Sequence, residues 1–144
     1  MKTSVVDLKS INRKWYIIDA NNKILGRLAT RAANLLTGKG KTEYSPNQDH
    51  GDHIIVINSD TIRLTGNKSE KKVYFRHSKY PSGGKFRSFK EQMTLDSRKV
   101  VSDAIRGMLP KTVLGRKIFS KLHVYRDGNH PHEAQKPVFL DFEE

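Results

Sequence analysis

The residues with the most evident chemistry in this sequence are cations set between aromatic rings. Lys71-Lys-Val-Tyr-Phe-Arg-His-Ser-Lys-Tyr80 is followed closely by Lys85-Phe-Arg-Ser-Phe-Lys90. Lysine and arginine neutralise phosphates, and Tyr, Phe and His rings stack on unpaired bases, so this alternation suits RNA capture. Tyr74 and Phe75 also read as ordinary strand residues, at least one of them facing a core. The cations have no such second reading. A second cluster, Arg106, Lys111, Arg116, Lys117 and Lys121, surrounds the turn Gly107-Met-Leu-Pro110. Gly107 and Gly115 would allow a partner close to the backbone there.

The charge is concentrated where these clusters lie. The 144-residue chain carries 27 Lys+Arg against 15 Asp+Glu, a formal net charge of +12. Residues 63–126 hold 17 of the cations and only 4 of the acids, whereas 127–144 hold one cation and five acids. A middle segment this basic repels itself and is best accounted for by a polyanionic partner. A merely solubilising face is the weaker account, because acidic residues serve solubility at least as well.

Several classes of chemistry are absent. With no cysteine there can be no disulfide framework, thiol catalysis or Cys-ligated zinc or iron, and a reducing compartment fits. The longest apolar run is the four-residue Ile54-Ile-Val-Ile57, far short of the roughly 20 residues that span a bilayer. The N-terminus lacks the apolar core of a secretion signal and the acid-free character of a transit peptide, so residues 1–13 read as a short cytoplasmic arm.

Gly38-Lys-Gly-Lys-Thr42 shares glycine and lysine with a phosphate-binding P-loop, but Leu35 stands where the first glycine belongs, and the motif follows a helix instead of opening one. It reads better as a basic turn in which Lys39 and Lys41 could meet phosphate. The stretch Asp19 to Gly26 lacks G-x-G-x-x-G. The six histidines, with Asp49 and Asp52 beside His50 and His53, show no metal-binding spacing, and His130-Pro-His132 lies in a polar loop suited to RNA contact. No nucleophile elbow or paired carboxylates appear, so neither enzyme chemistry nor a cofactor is expected.

The elements that must position these residues follow from periodicity. Trp15–Asp19 reads as a buried strand, Asn21-Asn22 as a turn or cap, and Ile24–Thr37 as a helix with Leu25, Leu28, Ala29, Ala32, Ala33 and Leu36 on one face, closed by Gly38. His53–Asn58 is apolar without alternation, as a strand covered on both faces would be. Together these make a βαβ opening. Ile62–Thr65 and Lys72–His77 read as edge or hairpin strands around the Gly66-Asn67 turn, and Ser78–Ser88, with Pro81, Gly83 and Gly84, as a loop. Asp96 or Ser97 caps a helix carrying Val100, Val101, Ala104, Ile105 and Met108 up to Pro110. Thr112 caps a short helix through Phe119, and Leu122–Tyr125 is a last strand. A single domain over 14–137 is expected, followed by a loosely held acidic tail over 138–144.

Ile105-Arg-Gly-Met-Leu-Pro110, then Gly115-Arg116, then Leu122-His-Val-Tyr125 form one ordered set. They are joined by Trp15…Ile18-Asp-Ala20, Leu25-Gly-Arg-Leu-Ala29, Gly51-Asp52, Leu64-Thr-Gly66, Arg76-His-Ser78 and His130-Pro-His132…Gln135-Lys-Pro137. With these motifs the chain resembles, from Lys14 to Pro137, the L13 family of bacterial large-subunit ribosomal proteins. The resemblance implies a three-layer α/β/α single domain around a small, mainly parallel sheet with a basic loop or hairpin extension. It implies binding to large-subunit (23S-type) ribosomal RNA, a part in early subunit assembly, and no catalysis. It also implies neighbours such as the ribosomal proteins L3 and L20, and neither a membrane nor a small-molecule substrate. Carried over by position, the RNA-facing residues are Lys39, Lys41, Lys68, Lys71, Lys72, Arg76, His77, Lys79, Lys85, Arg106, Lys111, Arg116, Lys117, His130 and His132. Two departures stand out: Tyr80-Pro-Ser-Gly-Gly84 is one residue longer than the family's usual loop, and Asp141-Phe-Glu-Glu144 matches no family motif. Competing expectations are a nucleotide-dependent enzyme using Lys41 and a free-standing regulator that binds messenger RNA or DNA.

Overall fold

The computed structural model describes Asp7 and residues 11–141. The arm expected over 1–13 and the end of the acidic tail lie largely outside the described residues. The fold begins with the expected βαβ unit: β1 (Trp15–Asp19), α1 (Leu25–Thr37) and β2 (His53–Ile57). The helix forms because its apolar residues share one face, and β2 because it is apolar on both. In α1 the buried apolar set is Leu25, Leu28, Ala29, Ala32, Ala33 and Leu36, and its alanines let the helix lie close to the sheet. Gly38 ends it in the left-handed conformation at φ 78°, its N–H bonding to the Asn34 and Leu35 carbonyls. A side chain at Gly38 would also meet the His50 backbone at 2.9 Å. The glycine therefore ends a helix and seats the next loop, which is not how a P-loop works.

The chain continues through a short helix α2 (Lys68–Lys71), strands β3 (Val73–His77) and β4 (Gly84–Ser88), helices α3 (Phe89–Met108) and α4 (Val113–Phe119), and strands β5 (Leu122–Val124) and β6 (Val138–Leu140). The main sheet runs β5-β2-β1-β6 with every neighbour parallel. It is a mixed α/β domain, a parallel four-stranded sheet flanked by helices, as expected. Ile54, Ile55 and Val56 are all fully buried, which accounts for the lack of alternation in β2. Ile18, Ile54 and Val56 face one side and form a single core with α1, α3 and α4, including Leu28, Leu36, Val100, Val101, Ile105 and Ile118.

Four expectations are corrected. Ile62–Thr65 is not a strand; only an isolated bridge joins Arg63 to Ile24. The partner of β3 is β4, within the stretch read as loop, because Lys85-Phe-Arg-Ser88 alternates as a strand behind its glycines. The helix expected from Asp96 starts earlier, at a capping box in which the Ser88 and Glu91 side chains each bond the other's backbone N–H. Asp96 instead marks a kink with extended backbone, its carboxylate accepting the Arg98 N–H at 3.2 Å, so it caps the second segment of α3. Finally, Val138–Leu140 is not loose: Tyr16, Ile17 and Ile18 sit opposite Val138, Phe139 and Leu140. Three apolar residues next to acids suffice for an edge strand when Leu140 can pack on the core.

The opposite face of the sheet carries rings. Trp15 stacks on His53 with centroids 4.2 Å apart and on His123 at 5.6 Å. His132, from the segment returning to β6, lies 5.2 Å from Trp15 and 4.6 Å from His123, and its Nε2 is 2.8 Å from the Tyr125 hydroxyl. Burial lowers the pKa of both His53 and His123 from the ordinary 6.5, helped by Lys121 and His123 beside His53 and by His132 beside His123. Neutral rings are therefore built into this face. Below 6.5 the unfolded chain takes up protons that the folded chain refuses, so stability should fall as pH drops from 6.5 toward the lowered folded-state values. The urea midpoint should be lower near pH 5.5 than near 7.5, and His53→Gln with His123→Gln should narrow the difference. Equal midpoints for the parent chain would defeat this account.

Candidate nucleic-acid interface

Strict alternation in β3–β4 sorts the basic-aromatic run onto two faces. Tyr74 pairs with Arg87 and Arg76 with Lys85, while Phe75 pairs with Phe86 and Val73 with Ser88. Phe75 and Phe86 touch ring to ring at 4.8 Å and are 60% and 72% exposed. Tyr74, on the other face, packs against the core. Of the two rings offered as ordinary strand residues, one does face the core. Burial, and then the Asp103 carboxylate, push the Tyr74 hydroxyl up to about 12, and Lys72 Nζ lies 5.3 Å from its ring centre. The turn is closed by Ser78 N–H to the Gly83 carbonyl (3.1 Å) and Gly83 N–H to the Tyr80 carbonyl (2.9 Å), with Lys79 and Ser82 at positive φ.

Between the hairpin and α3 lies a cleft of about 810 Å³, with Arg76, His77, Lys79, Lys85 and Arg87 on the hairpin side and Gln92, Lys99, Asp103 and Arg106 on the helix side. Among the described residues, none of its lysines or arginines is in an ion pair. Among the described residues Asp103 is the only acid lining it. A second cleft of about 700 Å³ shares Asp103 and Arg106 and continues past Pro110 to Lys111, Arg116 and Phe119. It exists because Thr112 caps α4, accepting the Gly115 N–H at 3.2 Å, and because Gly115 lies against the Pro110 carbonyl, where an added Cβ would be 1.8 Å away. The close approach expected at Gly115 is thus to the chain itself, while Gly107 faces open space. Arg106, its guanidinium 5.8 Å from the Phe119 ring centre, joins the two clefts into one basic surface.

The expected RNA-facing residues separate on this geometry. Arg76, His77, Lys79, Lys85, Arg106, Lys111 and Arg116 are brought together. Lys68, Lys71 and Lys117 are exposed on elements beside the clefts, and Lys39 is exposed at the far end of α1. Lys41 is committed elsewhere: its Nζ bonds Asp52 at 2.6 Å and the Asn12 carbonyl at 3.0 Å. His130 and His132 line neither cleft and are half-buried in the ring stack on the sheet. Lys121, grouped with the basic turn by sequence, is buried against Asp49. Arg87, Lys99 and Gln92 were missed as site residues. Arg87 would follow from Lys85 once 84–88 is read as a strand, and Lys99 from its helical spacing to Arg106; Gln92 gives no such signal. Among the described residues no three His, Asp or Glu converge as a metal would require, and no helix is long and apolar enough to cross a membrane.

A model of the family described as Ribosomal protein L13 matches residues 13–131. The chain belongs to that family. It is 54% identical over 127 residues to the large ribosomal subunit protein uL13 of Geobacillus kaustophilus strain HTA426, covering 88% of each chain. Against the uL13 of Roseiflexus sp. strain RS-1 it is 51% identical over 137 residues, 95% of this chain and 94% of that one. Against that of Chromohalobacter salexigens it is 47% identical over 141 residues, 98% and 99%. The L13 family consists of structural, non-enzymatic ribosomal components, so the enzyme reading of Lys41 falls, as its ion pair with Asp52 already suggests.

Proposed function

We propose that the chain is a structural constituent of the large ribosomal subunit that works in the cytoplasm during translation and binds large-subunit ribosomal RNA. The observation that carries this reading is the continuous surface of the two clefts, where cations from β3, β4, α3 and α4, without an ion pair among the described residues, face a single described carboxylate. Cations on a rigid sheet-and-helix frame bridge phosphates of RNA segments that would otherwise repel, and the frame fixes the separation. Arg76, His77, Lys79, Lys85, Arg106, Lys111 and Arg116 supply the central contacts. Lys68, Lys71, Lys72, Lys117 and Lys39 extend the footprint, and Lys41, His130 and His132 act mainly by holding the fold. A role early in subunit assembly beside L3 and L20 belongs to the same reading. The exposed Phe75–Phe86 face gives a protein neighbour an apolar surface to cover.

Fractionation of lysate on sucrose gradients at low and moderate salt tests the reading. The chain is expected to co-migrate with the large subunit under both conditions, with crosslinks from Arg76, Lys111 and Arg116 to its RNA. Migration as a free protein of 16.5 kDa would favour the free-standing regulator and overturn the ribosomal role.

A further inference from the structure

The hairpin–α3 cleft holds more than an electrostatic track needs. Surface cations suffice to hold a phosphate backbone, yet here they surround about 810 Å³ of space, within the range of roughly 300–1,000 Å³ typical of pockets that enclose small ligands. Its lining includes groups suited to reading a base. The Tyr74 hydroxyl is shielded from solvent and has no hydrogen-bond partner among the described residues. Gln92, only 6% exposed, and Asp103 stand on the α3 wall of the same cleft. A shielded hydroxyl without a partner is unfavourable until something bonds to it. Around these three stand Arg76, Lys85 and Arg106.

We propose that this cleft receives one unpaired nucleotide turned out of the bound RNA, its base held by Tyr74, Gln92 and Asp103 and its phosphates by Arg76, Lys85 and Arg106. The inference rests on the RNA-binding reading above and adds what the RNA must offer. A tyrosine hydroxyl and a glutamine amide each donate and accept, so they discriminate little, whereas an ionised carboxylate only accepts. Asp103 therefore favours a base with adjacent N–H donors. Guanine, with its ring N–H beside an exocyclic amine, fits best, and uracil, with one N–H between two carbonyls, fits worst. The Tyr74 hydroxyl, like any tyrosine's, is protonated and able to donate in the physiological range.

The test uses the full chain labelled with ¹⁵N and titrated separately with GMP, AMP, CMP, UMP and inorganic phosphate, following amide shifts. GMP is expected to move the amides of Tyr74, Gln92 and Asp103 and to bind about tenfold or more tighter than UMP, one charge-assisted hydrogen bond being worth at least that. Asp103→Asn should erase the preference. Tyr74→Phe, which keeps the ring in place, should weaken every nucleotide about three- to tenfold without changing the response to phosphate. Equal shifts from all five probes, confined to Arg76, Lys85 and Arg106, with Tyr74→Phe unchanged, would overturn the proposal. Binding to extracted large-subunit RNA is measured in parallel. RNA binding without base-dependent shifts sinks the nucleotide site and leaves the RNA-binding reading intact. Guanine preference without RNA binding supports the site and sinks that reading.

Discussion

Replacing Asp49 with alanine is expected to lower the unfolding free energy by about 3–5 kcal/mol, the usual cost of stripping one partner from a buried ion pair. The Lys121 and Asp49 side chains are 8% and 7% exposed and in direct contact. The ammonium's other bond, to the Leu36 carbonyl at the end of α1, is long at 3.5 Å. The nearby carboxylate of Asp52 is already engaged by Lys41 at 2.6 Å. Without Asp49 the lysine would remain buried with little to balance it. In the parent chain burial already lowers the Lys121 pKa, and the bond to Asp49 opposes that shift. Removing the carboxylate should lower the pKa further, so the folded variant would bind fewer protons than the unfolded one, and its stability should rise as pH climbs toward 10. Urea unfolding near pH 7 and near pH 9.5 should thus show the deficit shrinking at the higher pH. Asp49→Leu combined with Lys121→Met should recover most of the loss, because an apolar pair needs no compensation. A loss below about 1 kcal/mol for Asp49→Ala would mean that water reaches the lysine and the pair is no structural tie.

That pair also marks where sequence reasoning stopped. Lys121 is one cation among many in a basic segment, and Asp49 lies 72 residues away, so neither periodicity nor local spacing joins them. What was legible was local. The α1 stripe and its Gly38 cap, the unalternating β2 and the Thr112 cap were all visible because they depend on residues a few positions apart. Pairing over distance was not. Ile62–Thr65 looked able to partner β3 while Gly84–Ser88 read as loop, yet the pairing falls to Gly84–Ser88 because the chain turns back at Ser78–Gly83 and then caps directly into α3. The same holds for the site. The cations of β3 and of the Pro110 turn were evident, but that α3 forms the second wall, contributing Gln92, Lys99 and Asp103, follows only from the packing. Conversely, Lys41 and His132 carried the right chemistry and were drawn into internal contacts with Asp52 and Tyr125.

Binding to large-subunit RNA should weaken steeply with salt, the logarithm of the association constant falling against log salt with a slope of about −7. The figure follows from eight cations gathered by the clefts: Arg76, Lys79, Lys85, Arg87, Lys99, Arg106, Lys111 and Arg116. Each phosphate neutralised on duplex RNA releases nearly one condensed counterion, contributing about −0.9 to the slope. Between about 50 and 200 mM salt the affinity should fall on the order of 10³- to 10⁵-fold. Paired alanine substitution of Lys85 and Arg106 should make the slope shallower by about 2, one unit for each lost phosphate contact. Lys41→Ala, measured where the variant remains folded, should leave the slope unchanged because its ammonium is held by Asp52. A parent slope shallower than about −3 would sink the extended footprint. A Lys41→Ala slope that falls like that of Lys85 would show that phosphate can take the ammonium from its carboxylate and would move the RNA's path toward the end of α1.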